Sequence, residues 1–204
     1  MDNREKILQY ALNEFLQKGY EKASISNICE HSQISKGGLY HHFKNKDELF
    51  WGCLELFLQQ LRLWMDELFA DELDLRNFLK KYFGILPQVK NQLAEISGME
   101  GLSEYNYYLL IMDGIEHFSE LKEQISGFYD QLKAKSMQLL QAAKSQNLVR
   151  LDIDNEQTSY ELLALFEGSL VLSILNNQND LERRALKLSE SFWQKISKAE
   201  TEDK

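Results

Sequence analysis

The sequence predicts an all-α fold of about nine to ten helices. One proline and ten glycines in 204 residues leave few obligatory helix breaks. Apolar residues recur at the 3.6-residue spacing of a helix with one buried face, in segment after segment. Several of these segments open on Ser, Asn or Asp with Glu or Gln three residues on. That pattern satisfies the unpaired N–H groups of a first helical turn. With 44% hydrophobic residues the chain can bury a real core, and its length permits one large domain or a small one followed by a larger one.

The first helix is capped by Asp2 or Asn3, carries Ile7, Leu8, Ala11, Leu12 and Phe15 as its apolar stripe, and ends at Gly19. Ser24 caps a second helix whose inward residues are Ile25, Ile28 and Cys29. A turn from His31 to Ile34 comes next. Ser35 caps a short third helix with Leu39 and Phe43, four apart, on its inner face. Asn45 and Glu48 open a fourth helix of about 24 residues, roughly 36 Å long, with apolar positions from Leu49 to Leu68. Acidic residues at Asp71, Glu72 and Asp74 mark a break. A fifth helix begins near Leu75, and Pro87 ends it or opens the next. Gly98 and Gly101 bracket a turn. The helix from about Leu102 to His117 is apolar all round and is expected to be enclosed by others. A long amphipathic helix runs from about Glu120 to Gln146, and residues 148–154 form an extended link. Asp154 with Gln157 starts the next helix, at about 155–176. A turn at Asn176–Asp180 leads to the last helix, at about 180–197, which Asn179 and Glu182 start.

The net charge is −9, unevenly spread: residues 1–50 hold seven basic and seven acidic side chains, and the rest hold sixteen and twenty-five. Non-specific affinity for nucleic acid comes from cation–phosphate contacts, so random DNA is expected to bind poorly. The longest apolar run, Tyr107 to Met112, falls far short of the roughly 20 residues of a membrane span. No apolar leader opens the chain, and a soluble cytoplasmic protein is expected. Cys29 and Cys53 read as two buried thiols in a reducing compartment. No spacing of Cys or His suggests a metal, and nothing calls for a cofactor.

The stretch from Ser24 to Leu49 is the most informative. Helix, tight turn and short helix make a helix-turn-helix, whose second helix enters the DNA major groove. Opposite Leu39 and Phe43 the short helix offers Lys36, Gly37, Gly38, Tyr40, His41 and His42: donors, one cation and two glycines that let backbone come close. SKGGLYHHFKNKDELF, Ser35 to Phe50, resembles the TetR family of bacterial helix-turn-helix transcriptional regulators. FLQKGYEKASISNI, Phe15 to Ile28, is similar to that family's first-helix exit and second helix. Family members commonly have Gly where this chain has Gln33. If that position needs a positive φ, Gln costs about 1 kcal/mol there.

The resemblance implies a helix-turn-helix DNA-binding domain at 1–48 and a larger helical effector-binding and dimerisation domain at 49–204. Carried over by position, Ser24, Tyr40, His42 and Lys46 fall at phosphate contacts. Lys36, Gly37, Gly38 and His41 fall on the groove-facing side, Ser26 falls where some members reach a base, and Ser35 caps the reading helix. With no Arg or Asn on that face, base readout is expected from Lys36, His41, backbone approach at the glycines and DNA shape. Trp64, Phe83, Tyr105, Tyr108, Met112, Asp113, Phe128 and Tyr129 are the candidate effector contacts, with Glu104 and Glu116 as further carboxylates. Leu162, Phe166, Leu170, Leu188 and Phe192 are the candidate dimer interface.

The expected function is that of a homodimeric repressor on a palindromic, double-stranded operator. A small effector, largely apolar or cationic aromatic, would release it. The alternative is a DNA-binding architectural or partner-binding protein of the same family without a small-molecule effector. An α-helical enzyme is the rival of another class. The sequence offers it no nucleophile–base–orienter set and no phosphate loop, so no enzyme is expected.

Overall fold

The computed structural model describes residues 2–70, 74–98, 104–176 and 181–198. Among them are ten helices: α1 (Asn3–Lys22), α2 (Ile25–Ser32), α3 (Lys36–His42), α4 (Lys46–Leu68), α5 (Leu75–Gly84), α6 (Leu86–Ser97), α7 (Glu104–His117), α8 (Ser119–Ser145), α9 (Asn155–Asn176) and α10 (Leu181–Ile196). The fold is all-α with an N-terminal helix-turn-helix. The expectations at Gly101, Leu102 and most of the 176–180 turn, with its Asn179 cap, lie outside the described residues, as does the Glu104 side chain.

Local chemistry accounts for the boundaries. Asp2 and Glu5 form a reciprocal capping box at the start of α1. Ser24, Ser35 and Asp74 cap α2, α3 and α5 through their side-chain oxygens. Asn45 Oδ1 accepts the Glu48 N–H at 2.8 Å, while Glu48 reaches past the cap to the Lys44 N–H at 2.7 Å. Asp154 caps α9 through the Gln157 N–H at 2.7 Å. Pro87 opens α6, where its missing N–H is not needed. The extended link after α8 makes a small antiparallel bridge, Val149 to Ser197, with the Arg150 N–H donating to the Ile196 carbonyl at 3.0 Å. α2 runs further than expected, through Ser32, so the turn is Gln33 to Ser35.

The chain forms two compact units that do not divide at residue 48. The first comprises residues 1–63 and 89–124, the second 64–88 and 125–204. The three short N-terminal helices have too little apolar surface to close a core alone. Phe15, Leu16, Leu39 and Phe43 are buried with Leu49, Phe50, Cys53 and Leu54 of α4. α7 closes the same unit: Tyr107 meets Phe57 edge to face at 5.2 Å between ring centres. A Cβ on Gly114 would stand 3.0 Å from Leu54. In the second unit α5 packs on α10 and α9, where Arg76 lies over Trp193 and Tyr82 stacks on Phe166 at 4.6 Å. α4 belongs to both units along its length.

Two expectations about faces change. α7 is not enclosed all round. Leu110 and Ile111 are buried, but Tyr105 and Met112, seven residues apart and so on one face, are exposed. α9 is long and apolar enough to cross a membrane by length and composition, although it holds no long contiguous apolar run. The reason is that it is apolar on two faces. Leu162, Phe166 and Leu170 point inward, while Tyr160, Val171, Leu172 and Leu175 are exposed.

Candidate nucleic-acid interface

The helix-turn-helix is built on a left-handed turn. Gln33 has φ 57 and ψ 32, so this position does require the conformation that glycine adopts freely. Its N–H and that of Ile34 return to the Glu30 and Cys29 carbonyls, closing α2. Ile34 then packs under α3: a Cβ on Gly38 would stand 2.9 Å from Ile34 Cγ2, so Gly38 is small for the sake of the turn. A Cβ on Gly37 would meet only Ser35 Oγ, at 3.9 Å, so this glycine opens outward.

The two faces of α3 separate as the sequence indicates. Leu39 and Phe43 are buried, and Lys36, Gly37, Tyr40 and His41 are exposed. Ser35 is exposed and holds the Gly38 N–H at 3.1 Å. Ser26 is exposed on α2, and Ser24, half-buried, is occupied as its cap. His42 turns away from the outer face. It meets His41 edge to face at 5.3 Å and lines a groove of about 410 Å³ with Arg4, Phe43, Glu48 and Trp51. Lys46 is half-buried, with its Nζ 3.4 Å from the Glu21 carbonyl and 4.4 Å from the centre of the Tyr20 ring. The exposed set gives one surface of hydroxyl, cation, imidazole and bare backbone, which suits phosphate and base-edge contacts.

Sequence reasoning missed Glu14, which holds this unit from inside. It is buried on α1, and its Oε1 accepts from the Ser24 N–H at 3.2 Å, Asn27 Nδ2 at 3.0 Å and Lys18 Nζ at 2.8 Å. Burial works to raise its pKa. The three hydrogen bonds and the Lys18 charge outweigh that and hold the carboxyl below its ordinary range. A Glu one residue before Phe15, on an otherwise apolar stretch, was the available signal. Both cysteines are buried free thiols. Burial raises the pKa of each, opposed at Cys29 by the Lys36 charge.

The candidate effector residues divide between the two units. In the first, Tyr105 and Met112 are exposed and Tyr108 is half-buried on the same face of α7, edge to face with Tyr107 at 5.4 Å. Asp113 is engaged within the protein, accepting the Tyr20 N–H at 2.6 Å. In the second unit Trp64 and Phe83 are buried core, Phe128 is half-buried, and the Tyr129 hydroxyl donates to Glu167 at 2.5 Å. Of the candidate dimer residues, Leu162, Phe166, Leu170 and Phe192 are already buried within the single chain, and Leu188 is half-buried. They face α5 and the interior, because α9 and α10 turn their stronger apolar stripes inward. The exposed apolar residues on these helices are Tyr160, Val171, Leu172, Leu175 and Leu186.

Residues 7–51 match the family model described as bacterial regulatory proteins, tetR family. The chain is 24% identical to the nucleoid occlusion factor SlmA of Vibrio cholerae over 173 residues, 83% of each protein. It is 30% identical to the transcriptional regulator QacR of Staphylococcus aureus over 83 residues, covering 41% of this chain and 43% of that one. A putative transcriptional regulator from Saccharomonospora viridis, solved in complex with choline, shares the fold. Its TM-score is 0.70 at 18% identity, over 96% of this chain and 97% of that one. The helix-turn-helix, its matching residues and the all-helical body together make this chain a member of the TetR family of DNA-binding transcriptional regulators.

Proposed function

We propose that this protein is a homodimeric repressor that binds a palindromic operator through α2 and α3 and is released by a small effector. The observation that carries the DNA part is the split of α3: its apolar side is fully used in the core, while Lys36, Gly37, Tyr40 and His41 are left exposed. One such unit contacts too little DNA for tight specificity, so two copies on a two-fold symmetric site are required. The exposed apolar residues of α9 and α10 supply the surface that joins them. A Cβ on Gly168 would meet nothing within 4 Å, so α9 also lets a second chain come close.

The effector part rests on the exposed aromatic face of α7, with Tyr105 and Tyr108 beside Met112, and on the likeness to a regulator solved with choline, a small organic cation. The partner-binding alternative is favoured by one observation, the similarity to SlmA along most of both chains. One experiment separates the readings. An operator is selected from random duplexes with the full-length protein. Its affinity is then measured with compounds found by thermal shift among lipophilic molecules and organic cations. A compound that stabilises the protein and weakens operator binding supports the repressor. A stabiliser that leaves affinity untouched contradicts effector release, and one that tightens it reverses the sign. If selection yields no preferred sequence, the operator reading itself fails.

A further inference from the structure

The junction of α1, α4 and α7 in the first unit holds contacts that a helix-turn-helix does not itself require. α1 breaks at Gly19, where φ is 74 and ψ 170. Two side chains of α7 take hold of the chain around the break. Asp113 Oδ2 accepts the Tyr20 N–H at 2.6 Å, and Asn106 Nδ2 donates to the Leu16 carbonyl at 2.7 Å. These residues are seven apart and share one face of α7. Glycine is needed at position 19 twice over: for the positive φ, and because a Cβ would stand 3.0 Å from Asp113 Oδ2.

Immediately past the break, Tyr20 and Glu21 form the seat of Lys46. The Lys46 ammonium group lies over the Tyr20 ring and against the Glu21 carbonyl. A cation over an aromatic face is attracted by the ring quadrupole. The ring is fixed in turn. It packs on Phe50 at 5.0 Å and on His117 at 3.9 Å, and its hydroxyl donates to Asp47. Burial, then the Asp47 hydrogen bond, raise the phenol's pKa, so it remains a donor. Both parts of the seat, the Tyr20 ring and the Glu21 carbonyl, sit directly beyond the N–H that Asp113 holds.

We propose that Asp113, together with Asn106, is a positioning residue for DNA binding: by fixing the Tyr20 N–H it sets the seat from which Lys46 is presented to a phosphate. The proposal rests on the DNA-binding function proposed above, with Lys46 as a phosphate contact. Asp113, a candidate effector contact by sequence, works here on the DNA side of the unit.

The test is a double-mutant cycle on the full-length protein, titrated against its selected operator over a range of KCl concentrations. Lys46→Ala should flatten the dependence of log K on log salt by about 0.9, one phosphate contact. Asp113→Ala should flatten it by a similar amount and weaken binding by roughly two- to thirtyfold. The two changes together should lose little more than Lys46→Ala alone, because both remove the same contact. Asp113→Asn, a weaker acceptor in the same place, should fall between wild type and alanine, and it decides the matter if the alanine variant does not fold. Additive losses, or an unchanged salt slope in folded Asp113 variants, overturn the coupling. A wild-type slope for Lys46→Ala overturns the phosphate reading and the coupling with it.

Discussion

Gln33 holds a backbone conformation that its side chain disfavours, and the sequence pointed to the conflict through the glycine that related proteins carry there. Because φ is 57 at this position, Gln33→Gly should stabilise the protein by about 1 kcal/mol. For a chain of this size that raises the thermal midpoint by roughly 2–4 °C. An unchanged or lower midpoint in a calorimetric scan would mean that the Gln33 side chain contributes something the turn does not show. Glu14 is the opposite case, a residue whose importance no local pattern announces. Its contacts lie ten and thirteen residues ahead as well as one turn along, and only the fold of α1 against α2 brings them together. Glu14→Gln should cost about 1–3 kcal/mol at neutral pH, as expected for hydrogen bonds to a buried charge. Its folded pKa lies below the ordinary 4.5, so the contribution is complete above that value and is lost as pH falls through the folded pKa. Urea titrations at pH 7 and pH 3 should therefore show a large gap between wild type and Glu14→Gln at the first and a smaller one at the second. A gap that widens in acid would contradict the assignment.

Among the elements, α3 is the most legible in sequence and α9 the least. The inward pair Leu39 and Phe43 and the cap Ser35 come directly from spacing and residue type, and the structure places them accordingly. Spacing does not distinguish the two glycines. Both suit close backbone approach to a groove, but Gly38 is enclosed against Ile34 and only Gly37 opens outward. The two substitutions should therefore behave differently. Gly37→Ala should leave stability unchanged or raise it by up to about 1 kcal/mol through helix propensity, and should weaken operator binding. Gly38→Ala should gain no stability, since its methyl group must displace Ile34. Thermal midpoints with operator titrations check both. Full operator affinity in Gly37→Ala would remove close backbone approach from the recognition model. In α9 the difficulty is one of periodicity. When two faces of a helix are apolar, the helical period no longer says which one is inside. Leu162, Phe166 and Leu170 look no different in sequence from Leu172 and Leu175, yet the first three are core and the last two are exposed.

At the scale of the whole molecule, assembly and charge decide how well DNA is bound. The excess negative charge lies entirely beyond residue 50, while the N-terminal stretch that carries the reading helix is neutral. A single copy therefore has little electrostatic hold on DNA, and affinity depends on presenting two reading helices about 34–36 Å apart on successive turns of the groove. The surface that joins two copies should be the exposed apolar side of α9 with Leu186 of α10. Leu172 is 50% exposed and Leu175 73% exposed in the single chain, three residues apart on that side. Changing both to Glu leaves the protomer's core untouched. In a two-fold symmetric interface it would place four carboxylates against apolar surface, each with a desolvation penalty of several kcal/mol. The Leu172→Glu, Leu175→Glu protein should thus keep its helicity and thermal transition, sediment as a monomer at micromolar concentration, and lose operator binding far more than random-duplex binding. A charge at Leu170 or Phe166 should act differently: both are buried within the single chain, so the substitution should unfold the protomer. Sedimentation of the doubly charged variant as a folded dimer would place the interface elsewhere on the molecule.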